Sequence, residues 1–150
     1  MDTAPECLWT VGWKEFVDFT DWGVRRVKVK IDTGARTSAL DVAGYDLREE
    51  DGRGLVAHLR LALNRRHPER EIVVVTPVLG LVVVSNTGGL REERPLIETT
   101  VRLGPVVKRV CLTVTSRAGM LFPVILGRTA LAGDFLVDVS RKYLLRGRGG

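Results

Sequence analysis

Val27, Val29 and Ile31 alternate with Lys28 and Lys30, the period-two pattern of a half-buried strand. The strand runs straight into Asp32-Thr33-Gly34, and a second alternating run, Ser38-Ala39-Leu40-Asp41-Val42, follows at once. A carboxylate therefore sits at a strand end, on a tight turn. Thr33 can fix that turn through its hydroxyl, and Gly34 allows a backbone conformation closed to other residues. Taken alone, the tripeptide is also the composition of an ordinary turn.

The rest of the chain reads mainly as strands. Residues 1–8 form a loose start. Trp9 to Asp18 predicts a first short strand on apolar Val11, Trp13, Phe16 and Val17, and Asp21-Trp22-Gly23 a turn into the central strand. The charged, glycine-bearing segment Gly44 to Gly54 predicts a surface hairpin or loop, and Leu55 to Leu63 a strand. Asn64 to Arg70 is a polar break. Ile72 to Val84 holds two apolar runs, split by Thr76-Pro77 and Gly80, and Asn86-Thr87-Gly88-Gly89 is a turn signal. Arg94 to Leu103 and Val106 to Thr115 predict a hairpin across Gly104-Pro105, with Ile97, Thr99, Val101 and Leu103 on one face. Phe122 to Leu126 is continuously apolar, as a strand buried on both faces would be. The segment Gly127 to Ala132 predicts one or two helical turns, ended by Gly133. Phe135 to Val139 and Tyr143 to Leu145 close the domain before a basic glycine tail. No internal repeat, linker or helix of normal length is evident, so the class is all-β.

Composition narrows this only a little. At 150 residues the chain fits a single domain, 1–150, with its core over about 11–145. A hydrophobic content of 45% with 27% charged residues is ordinary for a soluble globular protein. Lys and Arg number 23 against 18 acids, a net charge of +5 that favours anionic partners. Acidic peptides, nucleic acid or a membrane surface all qualify, and so does a merely solvated basic surface. Cys7 and Cys111 are too few for a disulfide framework or a four-thiolate zinc site. With no apolar leader and no long apolar span, the expectation is a cytoplasmic protein away from membranes.

Candidate chemistry comes from pairing the Asp-Thr-Gly turn with Phe122 to Leu131, which reads F-P-V-I-L-G-R-T-A-L. An apolar strand ending in Gly127-Arg128 and leading into a short helix resembles the segment that, in retropepsins, crosses behind the Asp-Thr-Gly loop and braces it. The runs K-I-D-T-G-A-R-T-S-A-L from Lys30, S-N-x-G from Ser85, E-R-P-L-I-E-T from Glu93, M-L-F-P-V-I-L-G-R-T-A-L from Met120 and F-L-V-D from Phe135 are more specific. Together they resemble the bacterial family known as ATP-dependent zinc proteases, over roughly Val11 to Leu145. Its members have a retropepsin-like fold and are similar to domains associated with RimK-type ATP-grasp glutamate ligases.

The resemblance implies a retropepsin-like closed β-barrel with one short helix near the C-terminus. It implies catalysis at Asp32, Thr33 and Gly34, substrate contacts from Ala35, Arg36, Thr37, Ser38 and Asp41, and structural support from Gly127 and Arg128. Two departures stand out. Family members commonly carry histidine where this chain has Asp41, and an arginine before the S-N-x-G turn, where this chain has apolar Leu79 to Val84. Retroviral enzymes also carry an acid where Arg36 stands, so the partner of Arg128 must differ, with Asp41 and Asp138 as candidates.

Aspartic-peptidase chemistry needs two carboxylates sharing one proton. One Asp-Thr-Gly per chain therefore implies a homodimer with Asp32 of each subunit on the twofold axis. The echo at Asn86-Thr87-Gly88 offers only an amide. Arg25, Arg26, Lys28 and Lys30 precede the loop and Arg36 follows it. Three of these lie within a few residues of Asp32 and suit an acidic peptide or protein substrate, such as the glutamate chains made by a RimK-type ligase partner; a solvated strand face for Lys28 and Lys30 is the plainer reading. A different class of function is a non-catalytic dimeric module binding acidic peptide or nucleic acid. Nucleic acid is disfavoured because no aromatic pair interleaves the basic residues. The zinc in the family's name finds no His-Glu-x-x-His here. His58 reads as a strand residue, His67 precedes a proline, and Cys111 reads as core packing. No phosphate-cradling Gly-x-x-x-x-Gly-Lys loop exists, so ATP dependence would require another subunit. The expectation is no metal and no cofactor.

Overall fold

The computed structural model describes residues 8–85, 88–116 and 121–145. The start of the chain through Cys7, the Asn86-Thr87 part of the turn and the basic tail lie outside the described residues. Twelve strands and very little helix make up the described chain, and none of the described helices is long and apolar enough to cross a membrane.

Six strands close into a barrel. These are β2 (Lys14–Phe19), β3 (Val24–Ile31), β4 (Ser38–Asp41), β9 (Arg91–Leu103), β10 (Val106–Thr115) and β11 (Val124–Leu126). The order β10-β4-β11-β3-β2-β9 returns to β10 through the β9–β10 hairpin. Closure leaves no raw edge among these six strands. β8 (Gly80–Ser85) adds to the far half of β9, with Gly80 opposite Leu96 and Ser85 opposite Arg91. β5 (Gly44–Glu50), β6 (Gly54–Leu61) and β7 (Ile72–Pro77) form a separate three-stranded sheet. β1 (Trp9–Val11) pairs in parallel with β12 (Phe135–Val137).

The alternation read from the sequence is what fills the barrel. Val27, Val29 and Ile31 of β3 and Ile97, Thr99, Val101 and Leu103 of β9 all point inward, while Lys28 and Lys30 face solvent. They meet Phe19, Leu40, Leu112, Val114, Val124 and Leu126 in one core. Burying such a set supplies most of the driving force for folding, at roughly 25 cal/mol per Å² of apolar surface.

One local expectation shifts. Trp9 to Asp18 is two strands, not one, because Gly12 and Trp13 break the run. The charged segment from Gly44 does form a hairpin: the seven-residue strand β5 turns at Asp51 to Arg53 into β6. Tyr143 to Leu145 closes the domain outside any strand and is tied down by Glu15. That carboxylate is 1% exposed and accepts the backbone N–H groups of Gly12, Leu144 and Leu145 at 2.8, 2.9 and 3.3 Å. A buried polar group persists only when hydrogen-bonded in this way. Among the described residues the one α-helix, α1 (Arg128–Leu131), covers a single turn.

Candidate active site

Asp32 follows the last residue of β3, and its backbone N–H donates to the carbonyl of Leu126 at 2.9 Å. β11 thus fixes where the aspartate begins. β11 lies between β3 and β4, parallel to the first and antiparallel to the second, so it runs behind both arms of the loop 32–37. The Oδ1 atom of Asp32 accepts the N–H of Gly34 at 3.0 Å, and its carbonyl accepts the N–H of Ala35 at 3.2 Å. These bonds, rather than the Thr33 hydroxyl, close the turn. Gly34 does not take a left-handed conformation. Glycine matters there for closeness, since a Cβ would sit 3.2 Å from Asp32 Oδ1.

The loop is locked from behind by Gly127 and Arg128. The Gly127 N–H donates to Ser38 Oγ at 3.0 Å, the Arg128 N–H to the Ala35 carbonyl at 2.8 Å, and the Thr129 N–H to the Arg36 carbonyl at 3.1 Å. A methyl group on Gly127 would run into the carbonyl oxygens of Thr37 and Ala35. The Arg128 guanidinium donates through Nη1 to the Thr33 carbonyl at 2.9 Å. Its partner is therefore the loop backbone, in place of Asp41 or Asp138. Asp41 pairs with Arg65 at 2.8 Å, and Asp138 accepts from the backbone and hydroxyl of Ser140. The Ser140 hydroxyl, with its N–H, holds the Asp138 carboxyl below its ordinary range.

Thr33, Gly34, Arg36 and Thr37 are exposed, and Asp32 and Ala35 are half-buried. Ser38 and Asp41 are 1% and 5% exposed. Their side chains are committed to Gly127 and Arg65, beneath the loop rather than on its open face. Arg65 and Glu15 escaped the sequence reading. Neither carries a local signal, because each acts across the fold on residues distant in the chain.

No group of three His, Cys, Asp or Glu side chains among the described residues could hold a metal ion. His58 is bonded to Glu50 and His67 to Glu69, each at 3.1 Å. Cys111 is exposed, not packed in the core, because it takes the outward parity of β10 between Val110 and Leu112. Partial burial and the Glu98 carboxylate, 3.8 Å away, push its thiol pKa up. These residues do not fit a zinc centre.

A family model for RimB-like proteins, described as retropepsin-like aspartic endopeptidase RimB, matches residues 10–147. The chain belongs to this family. Curated relatives include probable alpha-L-glutamate ligases. That of Desulfotalea psychrophila is 29% identical over 140 residues, covering 90% of this chain and 29% of the relative. That of Shewanella pealeana is 28% identical over 141 residues, covering 93% and 30%. That of Parasynechococcus marenigrum is 30% identical over 138 residues, covering 90% and 29%. The chain thus spans less than a third of the length of these relatives. A crystal structure of a Legionella pneumophila protein of unknown function superposes with a TM-score of 0.75 at 20% identity. The match covers 92% of this chain and 98% of that one and is a likeness of fold.

Proposed function

We propose that this RimB-like protein is an aspartic peptidase, active as a homodimer in which two copies of Asp32 share one proton. The observation that carries the reading is the double lock on the loop: Gly127 on Ser38 and Arg128 on Thr33. Such bracing holds a half-exposed carboxylate in a fixed place, as proton-transfer chemistry requires. The ionised Asp32 takes a proton from water while its protonated counterpart polarises the scissile carbonyl. The water oxygen bonds to the carbonyl carbon, and the amine leaves with a proton from the dyad.

Ala35, Arg36 and Thr37 would contact substrate at the open face, with Ser38 and Asp41 holding the loop and its neighbour from below. Arg36 and Lys30 are exposed near Asp32 and favour acidic or glutamate-rich peptides. Relatives in which a similar domain forms part of a probable alpha-L-glutamate ligase support a RimK-type ligase as partner, and with it a cytoplasmic setting. The test is solution mass together with hydrolysis of a glutamate oligomer by the wild type and by Asp32→Asn. A dimer that cleaves, with a variant that does not, is expected. A monomer, or a variant of full activity, refutes the mechanism, and a dimer that binds the oligomer without cleaving it is the non-catalytic module.

A further inference from the structure

A groove of about 700 Å³ on the outer face of β2 and β3 is lined by none of residues 32–37. Among the described residues that line it, the cations are Lys14, Arg25, Arg26, Lys28, Arg65 and Arg66, and there is no carboxylate. Of the six, only Arg65 has an ion pair among the described residues. Phe16, Tyr143 and Phe122 share the groove with them. Phe16 and Tyr143 are stacked, with centroids 4.6 Å apart and planes 14° apart. Arg26 lies over Phe16 at 4.8 Å, and Lys14 over Tyr143 at 5.3 Å. The aromatic pair that the linear order keeps 127 positions apart is thus assembled in the middle of the basic cluster.

The backbone is bent to build this column. Arg26 and Tyr143 are the two non-glycine residues with left-handed backbone among the described residues, at φ of 55° and 54°. Such strain persists where the surrounding structure enforces it, and it gathers at functional sites. Arg26 stands where the β2–β3 register shifts, and its N–H is held by Asp18 at 2.9 Å. A shift of this kind re-aims a side chain, here onto Phe16. Tyr143 is pinned by its own N–H on the Lys14 carbonyl, also at 2.9 Å.

We propose that this groove binds single-stranded nucleic acid. Phosphates meet Arg25, Lys28 and Arg66, and a base stacks on the open face of the exposed Arg26 guanidinium, whose other face covers half-buried Phe16, beside half-buried Phe122. Unneutralised cations bind any polyanion, but a carboxylate chain has no use for a strained aromatic–guanidinium column, whereas every base has a face to stack. Lys28 is four residues from Asp32, about 13 Å along the strand, so the site is separate from the proposed catalytic loop and does not rest on it.

Fluorescence anisotropy with a labelled 12-mer of oligouridine and its deoxy counterpart tests this on the full chain. Binding is expected at low salt, with a log–log salt slope of about −2 to −3, near 0.7 per phosphate contacted. The stronger of the two oligomers names the sugar. An abasic 12-mer should bind at least fivefold more weakly, and a glutamate 12-mer more weakly than oligouridine. The double variant Arg26→Glu with Lys28→Glu should lose tenfold or more, with circular dichroism as the folding control. If that variant does not fold, Arg25→Ala with Arg66→Ala replaces it, with a smaller slope as the readout. No binding at low salt, equal binding of the abasic strand, tighter binding of the glutamate peptide, or an unchanged variant would each overturn the proposal. Asp32→Asn should bind oligouridine as the wild type does, so failure of the peptidase reading leaves this result standing.

Discussion

The guanidinium of Arg128 donates to the main-chain carbonyl of Thr33 at 2.9 Å. An arginine two positions beyond β11 thereby holds the residue next to Asp32, although 95 positions separate them. Replacing it with alanine removes a charge-assisted bond at an exposed site, worth about 1.5–3 kcal/mol. The fold should survive, with a modest drop in melting temperature, while peptide hydrolysis falls by tenfold or more because the loop loses its register. Arg128→Lys should recover part of this, since an ammonium can reach the carbonyl but cannot reproduce the planar fork. Equal kcat for wild type and Arg128→Ala would remove Arg128 from the positioning apparatus.

Gly127→Ala should be more damaging than its size suggests. The added methyl meets the backbone oxygens of Thr37 and Ala35, and main chain yields less readily than a side-chain tip. Overpacking of this kind costs about 1–3 kcal/mol. Denaturant unfolding should show a lowered midpoint at constant slope.

Glu15 is the test of the buried carboxylate. Glu15→Ala leaves the N–H groups of Gly12, Leu144 and Leu145 without their acceptor. Each orphaned donor costs about 1–3 kcal/mol, so a loss of about 3 kcal/mol or more is expected. Glu15→Gln retains an acceptor oxygen and should lose less. Hydrogen exchange at Leu144 and Leu145 should speed up in the alanine variant; unchanged exchange would contradict the clamp.

Asp21 gives the pH dependence. Slight burial works to raise its pKa, but the Thr100 backbone N–H and the Arg109 guanidinium outweigh this, and the carboxyl ends below its ordinary value. A depressed folded-state pKa contributes stability that is full above the unfolded pKa and is lost as pH falls through the folded one. The melting temperature of the wild type should therefore fall on acidification below the usual carboxylate range. Asp21→Asn should show a shallower fall across that window. The side chain is 46% exposed, so the difference is small and shrinks further at high salt.

The linear pattern by itself determined the strands and the all-β class. Alternation at Val27 to Ile31 and at Ile97 to Leu103 can bury one face only as strands, because the side-chain period of a strand is two. It also determined the loop, since Asp32 follows directly on an alternating run and needs no distant residue to be seen. What only the tertiary structure decided depends on residues far apart in sequence. Ser38 and Asp41 lie beneath the loop because β11 slots between β3 and β4, which no local pattern encodes. Arg128 found a backbone carbonyl where sequence reasoning looked for a carboxylate, because a guanidinium accepts either and only geometry chooses. Glu15 carries no local signal, because its donors at Leu144 and Leu145 come from the far end of the described chain. Phe16 and Tyr143 became neighbours among the basic residues through the return of that end of the chain. Short-range periodicity fixes which face of a strand is buried, while long-range closure fixes which side chains share a place.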